Sequence, residues 1–207
     1  YITYSEIRLQ LGVLEKELWL YRALNGRTIV FSKDIAEKST TLTYGYDVAL
    51  GIASIIGKET AFGEAFHITS DESYTWKEIL EIYLDTIEKK TGMRPKVLLL
   101  DKSPHLEWIG AKWQVILDRY YNRRFDNSKI QQYIDTSQFV RTESGLISCL
   151  ESFLCHPQFK KMGWGIQGTY DRITGEWAPF SEISIIKDCI SYLLHRTVVP
   201  PKSKLSI

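Results

Sequence analysis

Val13, Leu14, Leu18, Tyr21 and Leu24 recur at the spacing of one buried helix face, and Asn25-Gly26 supplies a stop. Thr28-Ile29-Val30-Phe31 is a β-branched and aromatic run that predicts a strand, and the threonine-rich stretch Ser39 to Tyr44 predicts a second extended segment. Asp47 stands where it can cap a helix with Val48, Ile52, Ile55 and Ile56 on its buried stripe and Gly57 after it. Glu64 to Thr69 alternates, with Ala65 and His67 on one side and Phe66 and Ile68 on the other, as a strand does. Thr75-Trp76-Lys77-Glu78 has capping-box spacing and opens an amphipathic helix through Ile79, Tyr83, Leu84 and Ile87 that halts at Thr91-Gly92. Val97 to Leu100 is a short continuous apolar run, the mark of a strand buried on both faces. Helix and strand alternate to this point, so the expected class is α/β with at least part of a parallel sheet.

Beyond Asp101 the pattern is helical: Leu106 to Tyr121, Ser128 to Ile134, and Thr142 to Leu154, halted before Pro157. Residues 156–178 are rich in Gly, Trp and turn formers, and Ile183, Ile186, Ile190, Leu193 and Leu194 mark a last helix before Pro200-Pro201. The chain is therefore divided into a region 1–155 and a C-terminal appendage 156–207. No repeat or low-complexity segment interrupts it.

A length of 207 residues suits one domain or a domain with an appendage, and 44% apolar, 13% aromatic and 25% charged residues exclude global disorder. Twenty-six basic against 25 acidic side chains leave a net charge of +1, so no field draws the chain to nucleic acid or an anionic membrane. No apolar run is long enough to span a bilayer, and Tyr1 to Arg8 lack the features of a signal peptide, so a cytoplasmic location is expected. Cys149, Cys155 and Cys189 have neither even number nor CxxC spacing, and are expected to be buried thiols rather than disulfides or zinc ligands. His67, His105, His156 and His195 are scattered, and Cys155 beside His156 would point to a different face of a helix, which argues against a nucleophile and base.

Gly163-Trp164-Gly165-Ile166-Gln167-Gly168 satisfies G-x-G-x-x-G, the spacing that lets a backbone approach a pyrophosphate. That motif needs a buried strand before it and a helix after it. Here His156 to Met162 is polar and Thr169 to Gly175 is turn-like, so the expectation is a glycine-rich loop and no nucleotide site.

Three stretches follow one another in a telling order. They are Thr41-Leu42-Thr43-Tyr44-Gly45-Tyr46-Asp47-Val48-Ala49, then Gly63 to Ser70 with Thr75-Trp76-Lys77-Glu78-Ile79, then Arg123-Arg124-Phe125-Asp126-Asn127-Ser128-Lys129-Ile130. Together they resemble the C-terminal half of the extended short-chain dehydrogenase/reductase family, the NAD-dependent epimerase/dehydratase group that acts on nucleotide sugars. The resemblance covers residues 1–155. It implies the C-terminal part of a Rossmann-like parallel sheet followed by a mostly helical substrate-binding region, with NAD or NADP as cofactor, a nucleotide sugar as partner, and possible homo-oligomers.

The departures matter as much. The family's Gly-rich dinucleotide turn is absent, and none of the 12 tyrosines is followed four residues later by lysine, so its catalytic Tyr-x-x-x-Lys is missing too. The resemblance places both upstream of Tyr1, which makes the chain a fragment. Alone it is expected to be inactive and not to bind NAD tightly, while a restored parent would be an epimerase, dehydratase or reductase. The alternative is a non-catalytic module that binds a sugar nucleotide or a protein on the same scaffold. A sheet cut in its middle leaves an open edge, so self-association or poor solubility through the N-terminal residues and the strand around Phe66 is expected.

A nucleotide diphosphate sugar needs cationic donors, and the planar guanidinium suits phosphate oxygens. Arg119, Arg123 and Arg124 lie in the linker that the resemblance places over the substrate, with Arg119 the first choice, and Arg8 follows the strand near the nicotinamide. By resemblance Tyr1 and Thr3 pass the nicotinamide ring. No catalytic or metal-binding residue is assigned. Asp47 is explained as a helix cap, His67 as a packed strand residue, and Asn127-Ser128-Lys129 as a helix start with Lys129 a minor phosphate candidate.

Overall fold

The computed structural model describes residues 2–107 and 111–198, so Tyr1 and the Pro200-Pro201 tail lie outside the described residues. Its strands are β1 (Ile2–Tyr4), β2 (Ile29–Ser32), β3 (Ser39–Thr40), β4 (Leu42–Tyr44), β5 (Tyr74–Thr75) and β6 (Val97–Leu100). Its α-helices are α1 (Lys16–Leu24), α2 (Lys33–Ala36), α3 (Gly45–Ile55), α4 (Trp76–Thr91), α5 (Lys112–Gln114), α6 (Thr142–Cys155), α7 (Trp164–Thr174) and α8 (Ile186–Leu193). Pairing is parallel between β1 and β4 and between β2 and β6, and antiparallel between β3 and β5. The class is α/β with pieces of parallel sheet. No described helix is long and apolar enough to cross a membrane.

The chain builds two compact units and passes between them repeatedly. Residues 2–10, 37–93 and 121–157 form the first; 11–36, 94–107 with 111–120, and 158–198 form the second. The last passage, at Pro157, falls beside the 155/156 boundary suggested by the sequence, but the segment after it shares its unit with two earlier parts of the chain.

In the first unit α4 is fixed at both ends by local chemistry. Thr75 Oγ1 accepts from the Glu78 amide at 3.2 Å and Glu78 Oε2 accepts from the Thr75 amide at 2.7 Å, closing the capping box. Gly92, left-handed at φ 76°, ends the helix. The stripe of Trp76, Ile79, Leu80, Tyr83, Leu84 and Ile87 is buried, and α4 packs on α6, whose own buried face is Leu146, Cys149, Leu150 and Phe153. Tyr4 enters this packing opposite Gly145, where a Cβ would lie 2.0 Å from the Tyr4 hydroxyl.

Several expectations in this unit need correction. Ser39 to Tyr44 is not one strand: it divides at Thr41, β3 pairing with β5 and β4 with β1. Asp47 sits inside the first turn of α3 rather than capping it, and its Oδ2 accepts from the Val140 amide at 2.9 Å, a long-range bond invisible in local spacing. Of the apolar stripe expected on that helix, Val48 is buried but Ile52 and Ile56 are exposed, because the inward side is Asp47, Val48 and Gly51. Residues 64–69 do alternate, with Ala65 and His67 exposed and Ile68 buried, yet they pair with no strand. A side chain replaces the ladder: Asn127 Oδ1 accepts from the Thr69 amide at 3.3 Å and Oγ1 at 2.9 Å, while its amide nitrogen donates to the Thr69 carbonyl at 2.6 Å. The open edge expected around Phe66 is therefore not a strand edge.

In the second unit β2 is buried along its whole length beside β6, with α1 packed on it. β6 itself is only partly covered, Leu99 being 38% exposed, so the burial on both faces implied by its apolar run does not hold. The helix expected over Leu106 to Tyr121 is broken into a 3₁₀ turn at Pro104–Glu107, the short α5, and a π-turn at Val115–Arg119; residues 108–110 of it lie outside the described residues. The expected helix from Ser128 to Ile134, in the first unit, is a single 3₁₀ turn at Ile130–Gln132. Among the cysteines only Cys149 is buried; Cys155 is exposed at the end of α6 and Cys189 half-buried, and all three are free.

Candidate ligand-binding site

In open α/β sheets ligands settle at the carboxyl ends of parallel strands, where side chains of successive loops converge. In the first unit those ends are Tyr4 and Tyr44, which are register partners on β1 and β4. Their rings lie 5.6 Å apart and tilted, and Tyr46 continues the row with its ring 6.5 Å from Tyr44. Tyr4 points inward and is buried, whereas Tyr46 is exposed. Glu6 follows β1 and accepts from the Tyr44 hydroxyl at 2.8 Å. Ser5 and Arg8 exchange backbone hydrogen bonds at 3.2 and 3.0 Å, closing a tight turn that brings the exposed Arg8 directly after the strand end.

The electrostatics keep the Tyr4 and Tyr44 phenols protonated. The hydrogen bond to Glu6, followed by burial, pushes the Tyr44 hydroxyl up to about 12. Burial first, then the nearby Cys149, Asp47 and Glu72, drives Tyr4 well above the usual phenol range. Burial also raises Asp47, opposed by its bond from the Val140 amide. A proton-transferring tyrosine needs the opposite shift. This row can stack, donate hydrogen bonds and exclude water; it does not supply an anionic phenolate.

Behind the row a polar network fixes the segment from Ile68 to Ser73. Asn127 Nδ2 donates to Asp71 Oδ1 at 2.8 Å, and Thr136 donates to Asp71 Oδ2 at 2.8 Å. The Ser70 amide donates to Thr43 Oγ1 at 2.9 Å, which ties the network to β4. Asn127 is thus a buried organiser, one step inward from the helix start expected there. Lys129 pairs with Glu64 and lies 5.0 Å over the Phe66 ring, on a surface cleft of about 340 Å³ lined by Ala65, Phe66, His67, Asp126, Ser128 and Lys129. His67 stands edge-on to Phe125 there and is exposed rather than packed in a strand.

The predicted site residues separate into groups. Thr3, half-buried on β1, and Arg8 belong to the strand-end row; Tyr1 lies outside the described residues. Arg123 is half-buried, donates Nη2 to Thr40 Oγ1 at 2.6 Å and bonds through its backbone to Ser39, holding β3 in place, while Arg124 is exposed. Arg119 is 2% exposed and belongs to the second unit, where Nε donates to the Gly12 carbonyl at 2.9 Å and Nη1 bonds Asp118. The sequence reading missed Glu6, Tyr44 and Tyr46. The Tyr44-Gly45-Tyr46 triplet was the available signal, since aromatic residues around a strand end are costly to leave exposed.

The glycine run is a helix, not the loop expected, because Gly163 precedes α7 and the other two glycines face a neighbour. A Cβ on Gly168 would stand 2.4 Å from the Tyr192 carbonyl oxygen, and one on Gly165 would meet Ser191 and His195 at 3.0 Å. The spacing serves close packing of Gly165 and Gly168 against α8 and the turn after it. Gly168→Ala is therefore expected to cost about 1–3 kcal/mol through overpacking, read from urea unfolding. A wild-type midpoint would show that the two helices can separate freely.

No protein-family model matches the chain, and no curated protein matches it significantly. Solved structures do. The UDP-glucuronic acid 4-epimerase of Bacillus cereus in complex with UDP-glucuronic acid and NAD superposes with a TM-score of 0.52, at 18% identity, over 74% of this chain and 43% of its own. The same enzyme in complex with NAD gives a TM-score of 0.51 at 17% identity, over 76% and 43%. Over that span this chain shares the α/β fold of those structures. This chain spans less than half the length of those structures. In such a fold the strand-end row of Glu6, Arg8, Tyr44 and Tyr46 occupies the position where parallel strands present a ligand.

Proposed function

We propose that this chain is the substrate-binding portion of an NAD(P)-dependent nucleotide-sugar epimerase, dehydratase or reductase. In this reading residues 1–155 are the C-terminal half of an extended short-chain dehydrogenase/reductase domain and 156–207 an appendage. The observation that carries it is the row at the carboxyl ends of β1 and β4: aromatic faces, a carboxylate at Glu6 and a guanidinium at Arg8, with the Tyr4 and Tyr44 phenols held protonated. Such a set recognises a ring, hydroxyls and a phosphate.

Arg8 and Arg124 are exposed on the first unit, whereas Arg119 is buried in the second, donating to the Gly12 carbonyl, and Arg123 is half-buried and holds Thr40. Among them Arg8 is the better choice. For NAD or NADP, Thr3 and Tyr1 would flank the nicotinamide end. For the pyrophosphate end, Gly165 and Gly168 of the glycine run are taken up by packing against α8 and the turn after it, and no strand leads into that run. The cofactor would then be held mainly by sequence outside this chain. The missing Tyr-x-x-x-Lys favours a second reading, a binding module without turnover.

Isothermal titration of the chain with a UDP-sugar tests the proposal. Arg8→Ala is expected to weaken binding by about 1.5–3 kcal/mol, the range for a hydrogen bond to a charged group. Arg119→Ala should leave affinity intact in the fraction that remains folded. Equal affinity for Arg8→Ala and wild type would remove the strand-end row from the site. NAD turnover by the unaided chain would overturn its reading as an inactive half.

A further inference from the structure

The last helix carries an apolar stripe that nothing among the described residues of its own unit covers. Ile186 is 80% exposed and Ile190 53%, and Leu193, Leu194 and Val198 are exposed as well. Positions 186, 190, 193 and 194 share one side of an α-helix. The π-turn at Leu194–Val198 takes more residues per turn, and so returns Val198 to the same side. The opposite face is immobilised. Tyr192 is fully buried against Trp164, donates to Asp171 Oδ2 at 2.7 Å and accepts from the Ala178 amide at 2.7 Å. The Gly168 approach locks the backbone at the same point. The stripe is thus presented on a rigid support rather than on a frayed terminus.

We propose that this stripe is a self-association surface, on which α8 and its π-turn pair with the same elements of a second copy across a two-fold axis. Three observations select that occupant. The five side chains expose on the order of 500 Å² per copy, so a pair buries about 1,000 Å², the lower bound for a specific interface. The five stripe residues carry no charge, Arg196 is drawn away by stacking on Trp177 at 4.4 Å and donating to the Glu176 carbonyl at 3.0 Å, and Lys187 borders the stripe at its rim, where it stays in water. Two identical copies can therefore meet without burying like charges. A lipid surface fits less well, since a membrane-lying helix carries rows of Lys and Arg beside its apolar face, and Lys187 is the only exposed cation on α8.

Sedimentation of the intact chain from low to high micromolar concentration reads the result. A concentration-dependent dimer is expected, and Ile190→Glu should raise its dissociation constant at least tenfold with unchanged circular dichroism. Ile56→Glu, at an exposed site on the other unit, should leave the dimer intact. Should Ile190→Glu fail to fold, the Cys155→Ser background gives a second reading. There Leu193→Cys, near the stripe centre, should form a covalent dimer on oxidation, while Ile186→Cys, at its end, should not. A wild-type monomer at all concentrations, a dimer indifferent to Ile190→Glu, or monomeric binding to anionic phosphatidylserine vesicles would each overturn the proposal.

Discussion

Asp171→Asn is expected to lower the stability of the chain by about 3–5 kcal/mol, the cost of breaking a buried ion pair by removing one partner. Both carboxylate oxygens are engaged: Oδ1 accepts from Arg22 Nη1 at 2.6 Å, and Oδ2 from Arg27 Nη1 at 3.3 Å and the Tyr192 hydroxyl at 2.7 Å. The side chains of Asp171 and Arg22 have no exposure, so water cannot replace the lost charge. Arg22 also bonds the Thr28 carbonyl at 2.7 Å, Gln167 at 3.1 Å and Glu176 at 3.0 Å, which holds its guanidinium in place after the substitution. It would remain buried with its principal counter-charge gone. Glu182→Gln, whose partner Arg27 lies closer to solvent, should cost about 1 kcal/mol or less. Equilibrium urea unfolding followed by tryptophan fluorescence compares the two, and similar losses for both would mean that Asp171 does not dominate the network.

Acidification should destabilise the chain through His105, and His105→Gln should remove that part of the pH dependence. Burial pushes His105 from its ordinary 6.5 down to about 4, and its Nε2 shares a hydrogen bond with the Tyr170 hydroxyl at 2.5 Å. Tyr170 in turn stacks beneath the Arg22 guanidinium at 5.6 Å, so a second positive charge there is unwelcome. Between pH 6.5 and 4 the unfolded chain holds the histidine proton and the folded one does not. The stabilisation is therefore complete above pH 6.5 and declines as the pH falls toward 4, by about 3 kcal/mol in all. Carboxylates titrate over the lower part of that window in both proteins, so the difference between wild type and His105→Gln isolates the ring. Parallel stability profiles for the two would show that His105 is hydrated and titrates normally.

Local signals in the sequence carried far in some places and failed in others for one physical reason. The capping box at Thr75 and Glu78, the stop at Gly92 and the stripe of α4 are all set by neighbours within a turn or two, and they were legible. The strands at 29–32 and 97–100 were legible from β-branched runs. What spacing could not show was any partner distant in sequence. Asp47 looks like a cap until Val140 is brought to it, and residues 64–69 look like a strand until Asn127 takes the place of the ladder. G-x-G-x-x-G looks like a loop until Tyr192 presses on Gly168. At the candidate site, Thr3 and Arg8 were proposed by resemblance alone, while Glu6 and Tyr44 become a unit only through the parallel pairing of β1 with β4.

The alternation of the chain between its two units has a consequence for how it can be made and cut. Each unit is assembled from three separate segments, and each includes residues from near the beginning and beyond residue 120. During synthesis neither can close until its last segment has left the ribosome, so Arg22 and Arg27 wait for Asp171 with their charges unanswered. A stop codon after α6 would leave both guanidiniums without their buried carboxylate, and such a product would be a substrate for quality-control proteases rather than a smaller domain.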